Sequence, residues 1–511
     1  MSSARGAVIK ARVMRRAMSS GALAAHVSYL QRDGVTKDGE PGRLFDSTGD
    51  AADGGAFVSR CDGDRHHFRF IVSPDDAHEL ADLRSFTRDL MAQAERDLGT
   101  RLDWVAVDHW NTEHPHVHML VRGRADDGRD LVISRDYISH GMRDRAAALV
   151  TQELGPRSEL EVRRDLARQV EAERWTKLDR VLAREAAARD GVLDLRRDLL
   201  GRPDPLREEK IGRLRKLERL GLASGDGRGR WVLADDAEQQ LRALGERGDI
   251  IKRLHRTMAS RGREADAGLF VLEGEAAGPV LGRLAARGLD DELKGSAYAI
   301  VEGVDGRTHH LRLPTLDAAG DGPTGSVVEL RRFADASGRE RIALAVRSDY
   351  AIERQITAAG ATWLDRQLVA REPAPLGSGG FAAEVRDALE RRTDRLVSQG
   401  LARQQSGRIV FARDLLDTLR RRELEQVASN VAAETGLPYR AAAEGERVGG
   451  VYRQRLDLAS GRFAMLDDGL GFQLVPWSPS LEHRLGRQVG GVASPGGGID
   501  WSFGRKRGLG L

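Results

Sequence analysis

The sequence predicts an α+β protein with an antiparallel sheet near its N-terminus, and three observations predict it. Strand-like and helix-like segments interleave over the first 140 residues without the regular βαβ alternation of a parallel sheet. Nine of the 13 histidines fall in those same 140 positions. Two of them form a His-x-His inside a run of alternating apolar residues, which is the period of a strand with two unlike faces.

The elements follow in order. Residues 7–13 read as a strand, 22–32 as a helix and 67–72 as a second strand, with His67 and Arg69 on one face and Phe68, Phe70 and Val72 on the other. The pattern predicts a helix over 74–98, with Ser73 as N-cap, Pro74 in its first turn and Gly99 as its stop. Strands are expected at 104–107 and 116–121. Residues 144–197 are rich in Glu, Arg, Ala and Leu, the composition of long polar helices in a connector. Two later stretches resemble each other, 214–233 (LRKLERLGLASGDGRGRWVL) and 392–411 (RTDRLVSQGLARQQSGRIVF). Each reads as a helix, a Gly-Leu-Ala, a polar hairpin and an apolar strand, a winged-helix-like unit used twice. Short strands separated by Gly and Asp turns are expected around 298–313, 326–347 and 448–475. The division that follows is 1–145 for the N-terminal domain, 146–200 for the connector, 201–270 and 371–440 for the winged-helix-like regions, 271–370 for a β-rich module with a helix, and 441–511 for a small β module with a basic tail.

Bulk properties exclude some classes. At 511 residues the chain is too long for one core. Apolar content of 40% with 31% charged is that of a water-soluble protein, and no window approaches the 18 or more apolar residues of a membrane span. The N-terminus lacks the apolar core of a secretory signal, so a cytoplasmic location is expected. The single cysteine, Cys61, closes no internal disulfide and leaves metal chemistry to His, Asp and Glu. The net charge of +3 is small. Its distribution says more: Arg5, Lys10, Arg12, Arg15, Arg16 and Arg32 precede the first acidic residue, Asp33, and Arg505, Lys506 and Arg507 stand in the tail, so both ends are candidates to meet phosphates.

The chemistry concentrates in Asp103 to Gly123, read as strand, turn, strand. His116 and His118 share a face while Val117, Met119 and Val121 take the other. The turn through Asn111, His114 and Pro115 brings His109 beside the pair as a third imidazole, a set able to hold a divalent ion with positions open to water or a phosphate oxygen. His114 is a turn or supporting residue. Such a site needs a nucleophile, and Tyr29 stands near a helix end with His26 and Arg32 close by. A tyrosine of pKa about 10 is ionised to about one part in a thousand at pH 7, a deficit of about 4 kcal/mol, so it needs a partner. For a lone tyrosine in a helix, core packing is the ordinary role.

These motifs resemble conjugative relaxases, the mobilisation nucleases of the HUH endonuclease superfamily, in the group that includes the T-DNA border nuclease. The resemblance rests on Tyr29, on the Arg65–Ser73 stretch and on the His109 to His118 run, and covers about residues 7–145. The rest of the chain is similar to relaxases with an appended C-terminal region of unknown function. The resemblance implies an HUH-type sheet with flanking helices and a metal-dependent endonuclease and transesterase. Tyr29 would attack one phosphodiester of single-stranded DNA at a transfer origin, leaving a 5′-phosphotyrosine and a free 3′-hydroxyl. It implies that His109, His116 and His118 bind Mg²⁺ or Mn²⁺, with Zn²⁺ as the alternative, and that Arg32, Arg65, His67, Arg69 and Arg122 contact DNA. It also implies partners in mobilisation: accessory relaxosome proteins and a type IV secretion coupling protein. Asn111 departs from the family pattern, which carries Asp there; asparagine cannot accept a proton, so the general base is unassigned. The rival readings are a rolling-circle replication initiator or transposase, in which the tyrosine usually follows the histidines, a metal-dependent nuclease using water, and a DNA-binding regulator.

Overall fold

The computed structural model describes residues 4–15, 21–31, 36–37, 40–110, 115–196, 204–264, 266–272, 279–335, 337–494 and 497–503. The chain divides into two compact units, Met1–Asp249 with Asp291–Gly295, and Ile250–Asp290 with Ser296–Leu511.

The first unit opens with β1 (Ala7–Arg15) and α1 (Gly21–Leu30), then α2 (Gly54–Arg60), β2 (His66–Pro74), α3 (Leu83–Leu98), β3 (Trp104–His109) and β4 (His116–Arg122). The four strands form one sheet in the order β1-β2-β4-β3, and every pairing is antiparallel. The α+β class is therefore borne out, with an antiparallel sheet near the N-terminus. Period-2 alternation divides the sheet's residues between two packed layers. Ala7, Ile9, Phe68, Phe70, Val72, Val117, Met119 and Val121 enter a core with Phe86, Leu90 and Met91 of α3. On the opposite face Val105, Val107 and Leu120 pack with Val27 and Leu30 of α1 and Phe57 of α2, each such burial contributing roughly 1.5–3 kcal/mol. The α1–α2 approach is close: a Cβ on Gly54 would lie 2.7 Å from Val27 and 2.8 Å from Leu44.

The helix expected over 74–98 begins nine residues later. Pro74 is the last residue of β2, and α3 starts at Leu83 behind Asp82, whose carboxylate caps the Arg84 and Ser85 amides. The Ser-Pro-Asp-Asp signal is spent elsewhere. Asp75 accepts from the Gly6 amide and from Arg157, and Asp76 takes φ +57° and pairs with Arg5. The stop at Gly99 holds, with φ +66° closing the helix. Arg5 is likewise not a phosphate contact: it is 5% exposed and is held by Asp76, Glu161 and the Gly155 carbonyl. Arg16, Arg505, Lys506 and Arg507 lie outside the described residues.

The connector is three short helices rather than long ones: α4 (Met142–Leu154), α5 (Glu159–Glu171) and α6 (Lys177–Ala187). Capping boxes at Ser158/Glu161 and Thr176/Asp179 start the second and third by satisfying their first amides. β5 (Val192–Asp194), α7 (Arg207–Arg219), β6 (Ala223–Gly225) and β7 (Arg230–Leu233) follow, with the sheet ordered β5-β7-β6, and then α8 (Ala237–Ser260). Helix, helix, strand, helix and a two-stranded wing make a winged-helix-like body, which draws α5, α6 and β5 from the stretch read as connector.

In the second unit, β8 (Phe270–Val271), β9 (Leu281–Asp291), β10 (Ser296–Gly303), β11 (Thr308–Leu313), β12 (Val327–Ala334) and β13 (Glu340–Ser348) form a sheet ordered β13-β12-β9-β10-β11-β8. The turn of the β9–β10 hairpin, Asp291–Gly295, groups with the first unit. After α9 (Ile352–Thr357), α10 (Trp363–Val369), α11 (Phe381–Ser398), β14 (Ala402–Gln405), β15 (Arg408–Phe411) and α12 (Leu415–Thr435), the chain ends in a sheet of β16 (Arg447–Leu458), β17 (Gly461–Asp467), β18 (Phe472–Pro476), β19 (Gln488–Ala493) and β20 (Ile499–Ser502). The strands expected around 298–313, 326–347 and 448–475 are all present.

Each winged-helix-like body holds its own buried network, and the two are built alike. In the first, the fully buried Arg213 donates to both oxygens of Asp179 and to the Val170, Ala172 and Arg174 carbonyls, while Asp179 caps Thr176. In the second, Arg392 donates to Asp365 and to the Ile356, Ala358 and Gly360 carbonyls, while Asp365 caps Thr362. Even Gln169 to the Leu178 amide recurs as Gln355 to Leu364.

Candidate metal centre

Register builds the site. His109 faces His116 directly across β3–β4, and His118 is flanked by Val107 on one side and Ile71 on the other, so the three histidines share the sheet face that α1 covers. The Nε2 atoms of His116 and His118 are 3.0 Å apart, and the rings of His109 and His118 are 4.4 Å apart between centroids. His109 is fully buried and His118 is 3% exposed. The three histidines chosen from the sequence are thus brought together.

A fourth group joins them. Glu292, in the Asp291–Gly295 turn, sets Oε2 2.9 Å from His118 Nε2 and 3.6 Å from His116 Nε2. One ligand atom from each of His109, His116, His118 and Glu292 lies within 4.8 Å of all the others. Two ligands bound about 2.1 Å from a common ion stand about 3.0–3.4 Å apart, so the 2.9–3.6 Å separations among His116, His118 and Glu292 and the nitrogen and oxygen donors suit a divalent cation. Sequence reading missed Glu292 because it stands far along the chain in a turn with no motif of its own.

His109 Nε2 meets the Leu30 carbonyl at 3.1 Å. When Nε2–H donates to that oxygen the lone pair sits on Nδ1, the arrangement by which metal-binding imidazoles are oriented. Burial raises the Glu292 carboxyl, but the imidazoles of His118 and His116 outweigh it and hold it well below the usual range. Tyr29 lies on α1 beside Leu30, half-buried against the apolar cluster beneath the helix.

Around the cluster the face is cationic. His26, 6% exposed on α1, is held well below the usual imidazole pKa by burial and then by Arg69, His118 and His67, with Glu292 opposing. Arg69 is 6% exposed, lies directly opposite Arg12 in the sheet, and has a buried Nε without a hydrogen-bond partner among the described residues. Burial and then Arg12 push its guanidinium down to about 10. Burial, Arg69 and His66 push His67 down to about 4. The other arginines singled out are engaged: Arg65 pairs with Asp130 at the surface, and Arg122 with Asp64 and Asp103. Asp108 points to the far face, accepting from Arg84 and Trp110. Arg32, Asn111 and His114 lie outside the described residues.

No curated protein matches the chain. A family model described as a protein of unknown function (DUF3363) matches residues 210–341 and 332–510. The matched segments contain Glu292 and leave out the three histidines and Tyr29. Because they cover more than half of the 511 residues, the chain belongs to the DUF3363 family.

Proposed function

We propose that the protein is a DNA strand-transferase of the conjugative relaxase kind, nicking single-stranded DNA at a transfer origin for plasmid mobilisation. The observation that carries this reading is the convergence of His109, His116 and His118 on the sheet face covered by α1, the helix that bears Tyr29. The Tyr29 oxygen would attack a backbone phosphorus as the bond to the 3′ oxygen breaks, giving a 5′-phosphotyrosine and, once that oxygen takes a proton, a 3′-hydroxyl. The phenol proton passes to a general base. The linkage keeps the strand available for rejoining.

When bound, Mg²⁺ or Mn²⁺ at the histidines would polarise the phosphate, with Zn²⁺ as the alternative. The opposed guanidiniums of Arg12 and Arg69 support phosphate binding on this face. Like charges directly across a sheet repel, and an anion between them removes the penalty. The winged-helix-like bodies are candidates to contact DNA as well. Among the described residues no helix is long and apolar enough to cross a membrane. A cytoplasmic relaxosome with accessory proteins and a type IV coupling protein belongs to the same proposal.

A second reading is hydrolysis by water, which the same group of residues would support by holding a cation that lowers the pKa of a bound water molecule. Incubating the protein and His118→Ala with Mn²⁺ and end-labelled single strands tiling the DNA around its gene tests the first reading. It expects wild-type cleavage at one position, abolished by chelator and in the variant. Cleavage that survives both would overturn it.

A further inference from the structure

We propose that Glu292 is a protein ligand of the same cation as the three histidines, so that the centre is completed by a residue of the segment matched to DUF3363. The inference rests on the metal-centre part of the reading above and adds a residue from outside the N-terminal sheet.

Geometry carries it first. Glu292 Oε2 lies at 2.9 Å and 3.6 Å from two of the ring nitrogens, and its side chain is 20% exposed. The turn that presents it is closed by other groups. The Asp291 carboxylate accepts from the Leu293 and Lys294 amides, and the Gly295 amide donates to the Asp291 carbonyl at 2.7 Å, with Gly295 at φ +78°. The turn is also seated on the cationic face, since a Cβ on Gly295 would stand 3.5 Å from Arg69 Nη1.

Chemistry carries it second. Three neutral imidazoles cancel none of a divalent ion's charge, and His109 and His118 are buried where solvent gives little help. One carboxylate halves that charge. It also changes the preference of the site: three nitrogens suit Zn²⁺, whereas adding an anionic oxygen favours the harder Mn²⁺ and Mg²⁺. Among the described residues, Glu292 is the carboxylate in the group that could hold a metal.

Calorimetric titration of the full-length protein with Mn²⁺ and with Zn²⁺, in the absence of DNA, tests it. The comparison uses wild type, Glu292→Ala, Glu292→Gln and His118→Ala, each checked for an unchanged metal-free melting curve. The expected result is at least a tenfold loss of Mn²⁺ affinity in Glu292→Ala, a smaller loss of Zn²⁺ affinity, and an intermediate value for Glu292→Gln, which keeps an oxygen without the charge. If both Glu292 variants bind Mn²⁺ like wild type while His118→Ala does not, the glutamate is no ligand and the histidine centre stands without it. If His118→Ala also binds like wild type, the centre itself falls, and the relaxase reading with it.

Discussion

His109 Nε2 lies 3.1 Å from the Leu30 carbonyl, so a hydrogen bond joins the last turn of α1 to the histidine cluster. The residue before Leu30 is Tyr29. A cation that orders His109 should therefore also order the helix that carries the proposed nucleophile. Mn²⁺ is expected to slow amide hydrogen exchange in residues 21–31 of the wild type and to leave it unchanged in His109→Ala. Equal protection in both proteins would show that the helix and the cluster are uncoupled.

Acid should destabilise the fold through its buried histidines. Burial pushes His67 down to about 4, with Arg69 and His66 adding, and pushes His310 down to about 4, with Arg253 adding and Asp290 opposing. Both are depressed below the unfolded value of about 6.5. Between about pH 6.5 and 4 the unfolded chain therefore binds more protons than the folded one, and stability falls as pH falls. Each group contributes up to about 3 kcal/mol of this loss. Melting temperature in metal-free buffer should drop steadily from pH 7 to pH 4.5, and a flat profile would count against the burial of these rings.

The twin networks of the winged-helix-like bodies predict matched effects. Arg213→Ala removes the guanidinium that pairs with the buried Asp179, and Arg392→Ala does the same to Asp365; each is expected to cost about 3–5 kcal/mol. Urea unfolding should show a lowered midpoint for each variant. A shift below about 1 kcal/mol in either one would mean that water replaces the guanidinium there.

Cys61 should be a slow nucleophile. Burial first, then the carboxylates of Asp64 and Asp103, push its thiol up to about 12, so little thiolate is present at pH 8. Iodoacetamide should modify it at least tenfold more slowly than an unstructured cysteine peptide. An equal rate would contradict the half-buried placement of this side chain.

Much of the sheet and three of the four candidate ligands were legible because strand alternation is a local signal. His116-Val-His118-Met fixes which face each side chain takes, and a short turn returns the chain to His109. The start of α3 was misread because Ser73-Pro74-Asp75-Asp76 carries the chemistry of a helix cap while its carboxylates serve Gly6, Arg157 and Arg5, contacts no local pattern reveals. Glu292 was hidden for the same reason: only tertiary folding brings a turn glutamate to the histidines. The repeated bodies were half seen. Arg168-Gln-Val-Glu-Ala-Glu-Arg-Trp-Thr-Lys-Leu-Asp-Arg180 matches Arg354-Gln-Ile-Thr-Ala-Ala-Gly-Ala-Thr-Trp-Leu-Asp-Arg366, but most of the shared residues are polar, and polar residues in a charged helix read as solvent-facing until Arg213 and Arg392 are seen buried.

The most direct test of the central claim is mass spectrometry of the protein after incubation with Mn²⁺ and the single-stranded oligonucleotide that it cleaves, digested with protease and nuclease. The account predicts a peptide containing Tyr29 that carries a nucleotide phosphate on its phenol oxygen, absent from Tyr29→Phe and from samples with chelator. Cleaved DNA with no modified Tyr29 peptide, and cleavage undiminished in Tyr29→Phe, would contradict it and leave water as the nucleophile.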